Sequence, residues 1–200
     1  MYDKVVENSI MMNELPEHRI EGGQINETPG NLFDYENDYA LAHCISADFA
    51  LKTGIAKVFQ DRYSTRDELM RLFPHRQWTG KGYCLLTNNE KIFNLVVKGA
   101  YFEKPSLITV KAALAHMKEI AEEEGIWKIA MPRIGYGYDG LEWQDIKDEI
   151  MDMFAGTDFD IRIVYLEEYL QGSIIDPDME KMNFGKDRKH IDGNLEKKYY

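Results

Sequence analysis

The chain has 200 residues, of which 44% are hydrophobic, and its formal net charge is −11. This length suits one domain with an extension, and a chain of this size buries enough surface to need no disulfide or metal staple. The negative net charge argues against a protein that binds nucleic acid by broad neutralisation of phosphates, although a local basic groove could still do so. It favours a small ligand or a protein as the partner.

The cysteines and the apolar runs indicate the compartment. The two cysteines, Cys44 and Cys84, lie in separate apolar runs without the CxxC spacing of metal and redox sites. We therefore expect two reduced, buried thiols, no metal and no cofactor. No stretch approaches the roughly 20 apolar residues of a membrane span, and residues 1–19 lack the apolar core of an export signal. The sequence thus predicts a cytoplasmic, intracellular protein without a membrane partner.

Three regions follow one another along the chain. Residues 1–23 are polar and end at a pair of glycines, so we expect an N-terminal arm. Residues 24–168 alternate short apolar runs with helical patterns, as a folded domain does. Residues 169–200 lose this alternation and mix lysines with acids, which predicts a C-terminal tail without a core of its own.

The elements of the domain alternate in type. Runs of five to seven mainly apolar residues predict strands over 39–45, 83–87, 92–97, 126–131 and 161–166. Helical spacing predicts helices over 55–63, from the N-cap Ser106 to Gly125, and along the stripe Trp143, Ile146, Ile150 and Met153. Short strands alternating with helices predict a three-layer α/β/α fold with a central mixed, mostly parallel sheet.

Two glycine-bearing loops follow predicted strands. The second places Gly135, Gly137 and Gly140 around a single carboxylate, Asp139. Glycine allows positive φ and close approach of the backbone, so such a loop can turn N–H groups toward a phosphate. A plain strand-to-helix connection would carry the same glycines. Ligands of such sheets bind at the carboxyl ends of the strands, where both loops lie.

Several short motifs resemble those of a macrodomain. They are Gly30-Asn-Leu-Phe33, Ala42-His-Cys-Ile-Ser46, Thr53-Gly-Ile-Ala56, Leu95-Val-Val-Lys98, Lys104-Pro105, Met131-Pro-Arg-Ile-Gly135 and Tyr138-Asp139. More narrowly, they resemble the branch that includes terminal ADP-ribose protein glycohydrolase and the antitoxins that strip ADP-ribose from DNA. The match extends over roughly residues 24–167, and the combination is more specific than any one motif.

The resemblance implies a site for ADP-ribose. Lys98 is implied as the catalytic amine and Asp139 as its partner. The implied ADP-ribose-binding residues are Asn31, Leu32, His43, Ser46, Thr53, Gly54, Ile55, Pro132, Arg133, Ile134, Gly135, Tyr136, Gly137 and Tyr138. Asn31 stands where the family usually has an acid, and its amide can still accept a hydrogen bond from adenine. Lys52 replaces a small residue and points either to solvent or toward the diphosphate.

The resemblance also implies a function, with alternatives that stay open. We expect a domain that binds ADP-ribose and removes it hydrolytically from a modified substrate, with a protein acidic side chain or ester as the attachment site. The alternatives are a hydrolase for ADP-ribose on a DNA base, a reader that binds without cleavage, and an ADP-ribose 1″-phosphate phosphatase. Nucleic acid is expected only as a modified substrate. Lys98 and Asp139 could form a structural ion pair in a reader, and His43 could be a hydrogen-bonded structural histidine.

Overall fold

A computed structural model describes residues 23–87 and 91–166 of the chain. The predicted tail and, apart from Gly23, the predicted arm lie outside these ranges. Within them, no helix combines the length and the apolar character that crossing a membrane requires.

The core of the structure is one six-stranded sheet. Its strands are β1 (Ile25–Pro29), β2 (Ala40–Ser46), β3 (Tyr83–Thr87), β4 (Ile92–Lys98), β5 (Lys128–Pro132) and β6 (Asp160–Tyr165). They lie in the order β1-β6-β5-β2-β4-β3, and every neighbouring pair is parallel except β3 with β4. The predicted mixed, mostly parallel sheet is confirmed.

Helices cover both faces of the sheet. They are α1 (Gly54–Tyr63), α2 (Thr65–Leu72), α3 (Leu107–Glu123) and α4 (Trp143–Phe154). Successive side chains of a strand point to opposite faces. On β4, Phe93 and Leu95 accordingly pack with residues of α3 and α4, whereas Ile92 and Val96 pack on the side of α1 and α2. The result is the predicted three-layer α/β/α fold.

Helix α3 ends as the sequence predicts, and its end explains a shift in β5. Gly125 adopts a φ of +68°, which suits the residue after a helix. The N–H of Ile126 then donates to the carbonyl of Ala121 at 2.8 Å. Because Ile126 completes the end of this helix, β5 begins at Lys128 rather than at the predicted residue 126.

Besides the 3-10 turn Gly137–Asp139, which lies in a predicted loop, three elements have no counterpart among the predictions. Strand β1 lies at the edge of the sheet and reads Asn26-Glu-Thr28 at its centre, so it shows no apolar run. The 3-10 turn Leu32–Tyr35 and helix α2 are short, and α2 buries only Thr65 and Leu69. Short or edge elements bury too few side chains to produce a clear periodic pattern.

Candidate active site at the carboxyl ends of the strands

The carboxyl ends of β2, β4 and β5 meet at one edge of the sheet because these strands are parallel. Strand β2 lies between the other two, so the loops that follow the three strands are neighbours. The polar and glycine-rich segments of the sequence fall in these loops. The predicted ligand site is therefore assembled from segments that are distant in the chain.

Lys98 and Asp139 form an ion pair at this edge. The Nζ atom of Lys98 lies 2.7 Å from Oδ1 of Asp139, and the side chains are 14% and 12% exposed. Lys98 is the last residue of β4, and a register shift pairs it with Ser46 at the end of β2. Asp139 ends the 3-10 turn Gly137–Asp139. The two charges thus lie near the surface of the site, where a ligand can reach them.

The glycines of the β5 loop serve two different purposes. Gly135 and Gly137 have φ values of +70° and +74°, a region that L-residues with side chains rarely adopt. A Cβ atom on Gly135 would lie only 2.5 Å from Cδ1 of Ile146, whereas one on Gly137 would meet nothing within 4 Å. Gly135 is therefore required for packing against α4, and Gly137 presents its backbone to open space.

The loop after β2 meets the β5 loop across the site. Helix α1 begins at Gly54, and within the described residues the side chain of Thr53 makes no cap hydrogen bond. The ring of Tyr138 lies 3.7 Å from the position that a Cβ atom of Gly54 would occupy. Uncapped N–H groups at a helix start favour an anion. The two loops can therefore enclose a phosphate-bearing ligand.

Strained backbone supports the β2 loop. Phe49 and Leu51, neither of them glycine, have φ values of +49° and +43°. Both side chains are buried, which holds this conformation in place. Such strain costs about 1–3 kcal/mol per residue and is concentrated at functional sites.

Asp48 connects the β2 loop to the β4 loop. Its carboxylate accepts hydrogen bonds from Oγ of Ser46 at 2.5 Å, from the N–H of Ala50 at 3.1 Å and from the N–H of Tyr101 at 3.1 Å. Asp48 is a residue of the site that was not among the predicted ones. The signal in the sequence was an aspartate two residues after a strand, at the start of a loop. The carboxylate of such an aspartate readily binds nearby backbone N–H groups.

His43, which the resemblance implies as a ligand residue and which could instead be structural, has its side chain in the core. It has no exposed surface, and its ring stacks on Phe59 with centroids 3.8 Å apart. Its Nε2 atom lies 2.9 Å from Oδ1 of Asn94, while Nδ1 has no hydrogen-bond partner among the described residues. Burial lowers the pKa of His43 from 6.5 to about 4, so the ring is neutral at pH 7. This geometry is that of a structural histidine.

Arg133 is also engaged within the protein. Its side chain forms a 2.6 Å ion pair with Glu27 of β1, and its guanidinium lies 4.1 Å from the centroid of the Tyr165 ring. Burial raises the pKa of Glu27, but hydrogen bonds from Lys147 and Arg133 outweigh it and hold the value below 4.5. The carboxylate thus remains charged. A ligand contact by the Arg133 side chain would have to compete with this pair.

The other predicted ligand residues surround the same edge. Asn31 caps the 3-10 turn that follows it, since its Oδ1 accepts the N–H of Phe33 at 3.1 Å. Leu32, Ser46 and Ile134 are buried. Thr53, Ile55, Pro132 and Tyr138 are partly buried, while Gly54, Gly137 and Tyr136 are exposed. Their contacts with ADP-ribose remain predictions.

Cys44 lies beneath this site, partly buried rather than fully buried as predicted, and its surroundings favour the protonated thiol. Burial raises the pKa of its thiol, and the nearby charge of Asp139 raises it further. Neither Cys44 nor Cys84 forms a disulfide. Across the described part of the chain, no three His, Cys, Asp or Glu side chains gather closely enough to hold a metal ion.

Comparisons with known proteins identify the family. No family model matches the chain. Human ADP-ribose glycohydrolase OARD1 is 31% identical over 155 residues, which cover 78% of this chain and 97% of that protein. The macrodomain of Mycobacterium tuberculosis DarG is similar in structure, with a TM-score of 0.61 and 23% identity over 72% of this chain and 99% of that one.

A further structural neighbour was solved with a ligand. It is Thermosipho africanus DarTG in complex with ADP-ribose, with a TM-score of 0.56 and 19% identity over 82% of this chain and 46% of that one. The chain belongs to the macrodomain family, as a relative of ADP-ribose glycohydrolase OARD1.

Proposed function

We propose that this protein binds ADP-ribose and hydrolyses the bond between the distal ribose and a modified substrate, an ester on an acidic side chain of a protein. The observation that carries the proposal is the Lys98–Asp139 pair, 2.7 Å apart and nearly buried at the strand ends. A desolvated amine and carboxylate between two anion-binding loops are suited to chemistry at a sugar carbon next to a diphosphate.

The proposed position of ADP-ribose follows the loops. The diphosphate lies between the N–H groups at the start of α1 and the backbone around Gly137. The adenine lies toward Asn31 and Leu32, and the distal ribose lies toward Ser46, Lys98 and Asp139. This placement puts the anomeric carbon beside the ion pair and directs the attached group to solvent.

The reaction uses both members of the pair. Asp139 takes a proton from the Lys98 ammonium, and the neutral amine attacks the anomeric carbon. The C–O bond to the substrate breaks, and the carboxylate leaves with the electron pair. Water then forms a C–O bond as the C–N bond breaks, the amine regains a proton from that water, and Asp139 releases its proton to solvent. Both groups return to their starting charges.

The relatives support this assignment. OARD1 is named as an ADP-ribose glycohydrolase, and DarTG was solved in complex with ADP-ribose. The free thiols of Cys44 and Cys84 support a reducing cytoplasmic setting.

A turnover experiment tests the function directly. The protein is incubated with a peptide that carries ADP-ribose as a glutamate ester, and mass spectrometry follows the release of ADP-ribose. We expect release from this peptide. The same assay with ADP-ribosylated DNA and with ADP-ribose 1″-phosphate tests the other substrates. Binding of free ADP-ribose without release from any of them would contradict the enzyme and leave a reader.

Variants of the pair test the residue roles. Lys98→Ala should retain affinity for ADP-ribose and slow release by on the order of 10³-fold, because the amine acts mainly in the transition state. Asp139→Ala should slow release as well, because the Lys98 ammonium then lacks the carboxylate that accepts its proton before the amine attacks. Lys111→Ala, which removes an exposed lysine from α3, is the matched control and should behave like the unmutated protein. Release by Lys98→Ala at the unmutated rate would contradict the lysyl mechanism.

A further inference from the structure

Two large aromatic side chains stand exposed beside the candidate active site. Tyr101 and Phe102 follow Lys98 by three and four residues and are 41% and 68% exposed. Their ring centroids lie 5.4 Å apart in an edge-to-face arrangement at 84°. We call these two residues the aromatic pair. Exposing adjacent aromatic rings leaves apolar surface in water, and such surface commonly marks a binding site.

Hydrogen bonds and close packing fix the conformation of the loop that carries the aromatic pair. A carboxylate oxygen of Glu103 accepts the N–H groups of Gly99 and Ala100 at 2.9 and 3.1 Å. Asp48 accepts the N–H of Tyr101 at 3.1 Å from the neighbouring loop. A Cβ atom on Gly99 would lie 2.9 Å from Cδ1 of Trp78, so this residue packs closely onto an indole ring. The exposure of the pair is therefore built into the loop.

The loop after β4 contacts the loops after β2 and β5, which lie on two sides of the site. On one side, the Nζ atom of Lys52 in the β2 loop lies 5.2 Å from the centroid of the Tyr101 ring. On the other side, the ammonium of Lys104 donates a hydrogen bond to the carbonyl of Tyr138 in the β5 loop. Tyr101 and Phe102 lie between these contacts. They therefore form part of the rim around Lys98 and Asp139, where the proposed position of ADP-ribose directs the attached group to solvent.

We propose that the aromatic pair is a docking site for an apolar side chain of the protein substrate, next to the modified residue. This inference rests on the proposed function, because it assigns the part of the substrate beyond the bond that is cleaved. Tyr101 and Phe102 act as specificity residues: they contact the polypeptide and leave ADP-ribose to the loops. An apolar side chain that covers the pair removes its rings from water, which strengthens binding.

The charges at the rim favour a polypeptide over a nucleic acid. The loops beside the pair carry two lysines, Lys52 and Lys104, and two carboxylates, Asp48 and Glu103, so their formal charges cancel. Nucleic-acid sites combine aromatic platforms with a net positive groove that follows the phosphates. The chain as a whole carries −11 and would repel a polyanion. A neutral, partly apolar segment meets no such repulsion.

Binding of non-cleavable conjugates tests the proposal independently of catalysis. Two short peptides carry ADP-ribose through a hydrolysis-resistant linkage, one with leucine and phenylalanine beside the modified position and one with glycine there. We expect the apolar peptide to bind about five- to twentyfold more tightly, a typical range for contacts with an aromatic anchor. Equal affinities of the two peptides would overturn the inference, whether or not the protein cleaves esters.

Variants assign the preference to the pair. Phe102→Ala and Tyr101→Ala should each reduce the preference for the apolar peptide and leave the affinity for free ADP-ribose unchanged. Met151→Ala removes an exposed apolar side chain near the end of α4, as the matched control, and should keep the preference. ADP-ribosylated single-stranded DNA forms the third arm. If Phe102→Ala weakens its binding more than that of the apolar peptide, the occupant is a nucleic acid and the inference is wrong.

Discussion

Strands β2 and β4 lie side by side, and each carries polar residues at two levels. At the middle level, His43 of β2 faces Asn94 of β4, and both are fully buried. At the end of the strands, Ser46 pairs with Lys98, whose ammonium contacts Asp139 from another loop. The middle level is neutral and closed, whereas the end level is charged and lies where a ligand can enter.

The difference shows how position along a strand decides the role of a polar side chain. The amide nitrogen of Asn94 donates to the carbonyls of Leu85 and Ile92 and to Oγ1 of Thr87, and its oxygen lies against His43. Almost every polar atom of this group is thus used inside the protein. Lys98 and Asp139 have one close contact with each other, and a substrate can replace it. We expect changes at the middle level to alter stability and changes at the end level to alter activity.

The largest expected effect on stability is at Asn94. Asn94→Ala removes these hydrogen bonds and leaves Nε2 of the buried His43 without a partner. We expect a loss of about 4 kcal/mol in the free energy of unfolding, because each lost hydrogen bond costs about 0.5–1.5 kcal/mol and a buried unsatisfied group costs about 1–3 kcal/mol. Urea denaturation measures the loss. Asn26→Ala on β1 is the matched control, since the amide nitrogen of Asn26 has no partner among the described residues. Similar losses of unfolding free energy for Asn94→Ala and Asn26→Ala would show that the buried hydrogen bonds of Asn94 add no special stability.

The next effect is a dependence of stability on pH that comes from His43. Burial lowers its pKa from 6.5 to about 4, so between these values the unfolded chain binds a proton that the folded protein does not. Stability contributed by the neutral ring is therefore present above pH 6.5 and is lost as the pH falls toward 4. Between pH 7 and pH 4.5 the loss amounts to about 2.5 kcal/mol.

His43→Gln isolates this contribution. Urea denaturation at both pH values should show an acid loss smaller by about 2.5 kcal/mol in the variant than in the unmutated protein. His75→Gln, which removes an exposed histidine, should show the unmutated loss. An unchanged acid loss in His43→Gln would mean that the ring is not held neutral by burial.

Two glycines of the β5 loop provide a second test of the difference between residues that stabilise the fold and residues that bind the ligand. Gly135→Ala places a Cβ atom against Ile146 and should cost about 2 kcal/mol of stability. Gly137→Val meets open space, so we expect mainly the backbone cost of about 1–2 kcal/mol. Its affinity for ADP-ribose should fall by more than about tenfold, since a branched side chain blocks approach to the backbone. Calorimetry of the folded variant measures this, and an unchanged affinity would show that Gly137 serves only the turn.

The smallest expected effect is the stability change from neutralising the whole end level. Lys98→Met combined with Asp139→Asn removes both charges while keeping similar shapes. The attraction and the desolvation cost disappear together, so we expect a change of less than about 1 kcal/mol in the free energy of unfolding. Release of ADP-ribose should nevertheless stop. A loss of several kcal/mol would show that this pair is part of the structural core.

The sequence by itself determined the fold class, and it brought forward Lys98 and Asp139 as the candidate reacting residues. Long periodic segments such as α3, and apolar runs such as β4, bury many side chains, so their patterns are unambiguous. The glycines around Asp139 likewise indicated a loop, and the position of Lys98 after an apolar run indicated the end of a strand. The resemblance of these motifs to a known family then implied that Lys98 and Asp139, which lie 41 positions apart, act together.

Only the tertiary structure decided which polar residues face a ligand and which face the core. His43 and Ser46 lie three residues apart on one strand, yet the packing of Phe59 closes over His43. Asp48 and Glu27 gained their roles from partners on other elements, Tyr101 in the first case and Arg133 in the second. A local pattern records the environment of a strand or helix, but burial and hydrogen-bond partners depend on contacts between segments that the chain order does not reveal.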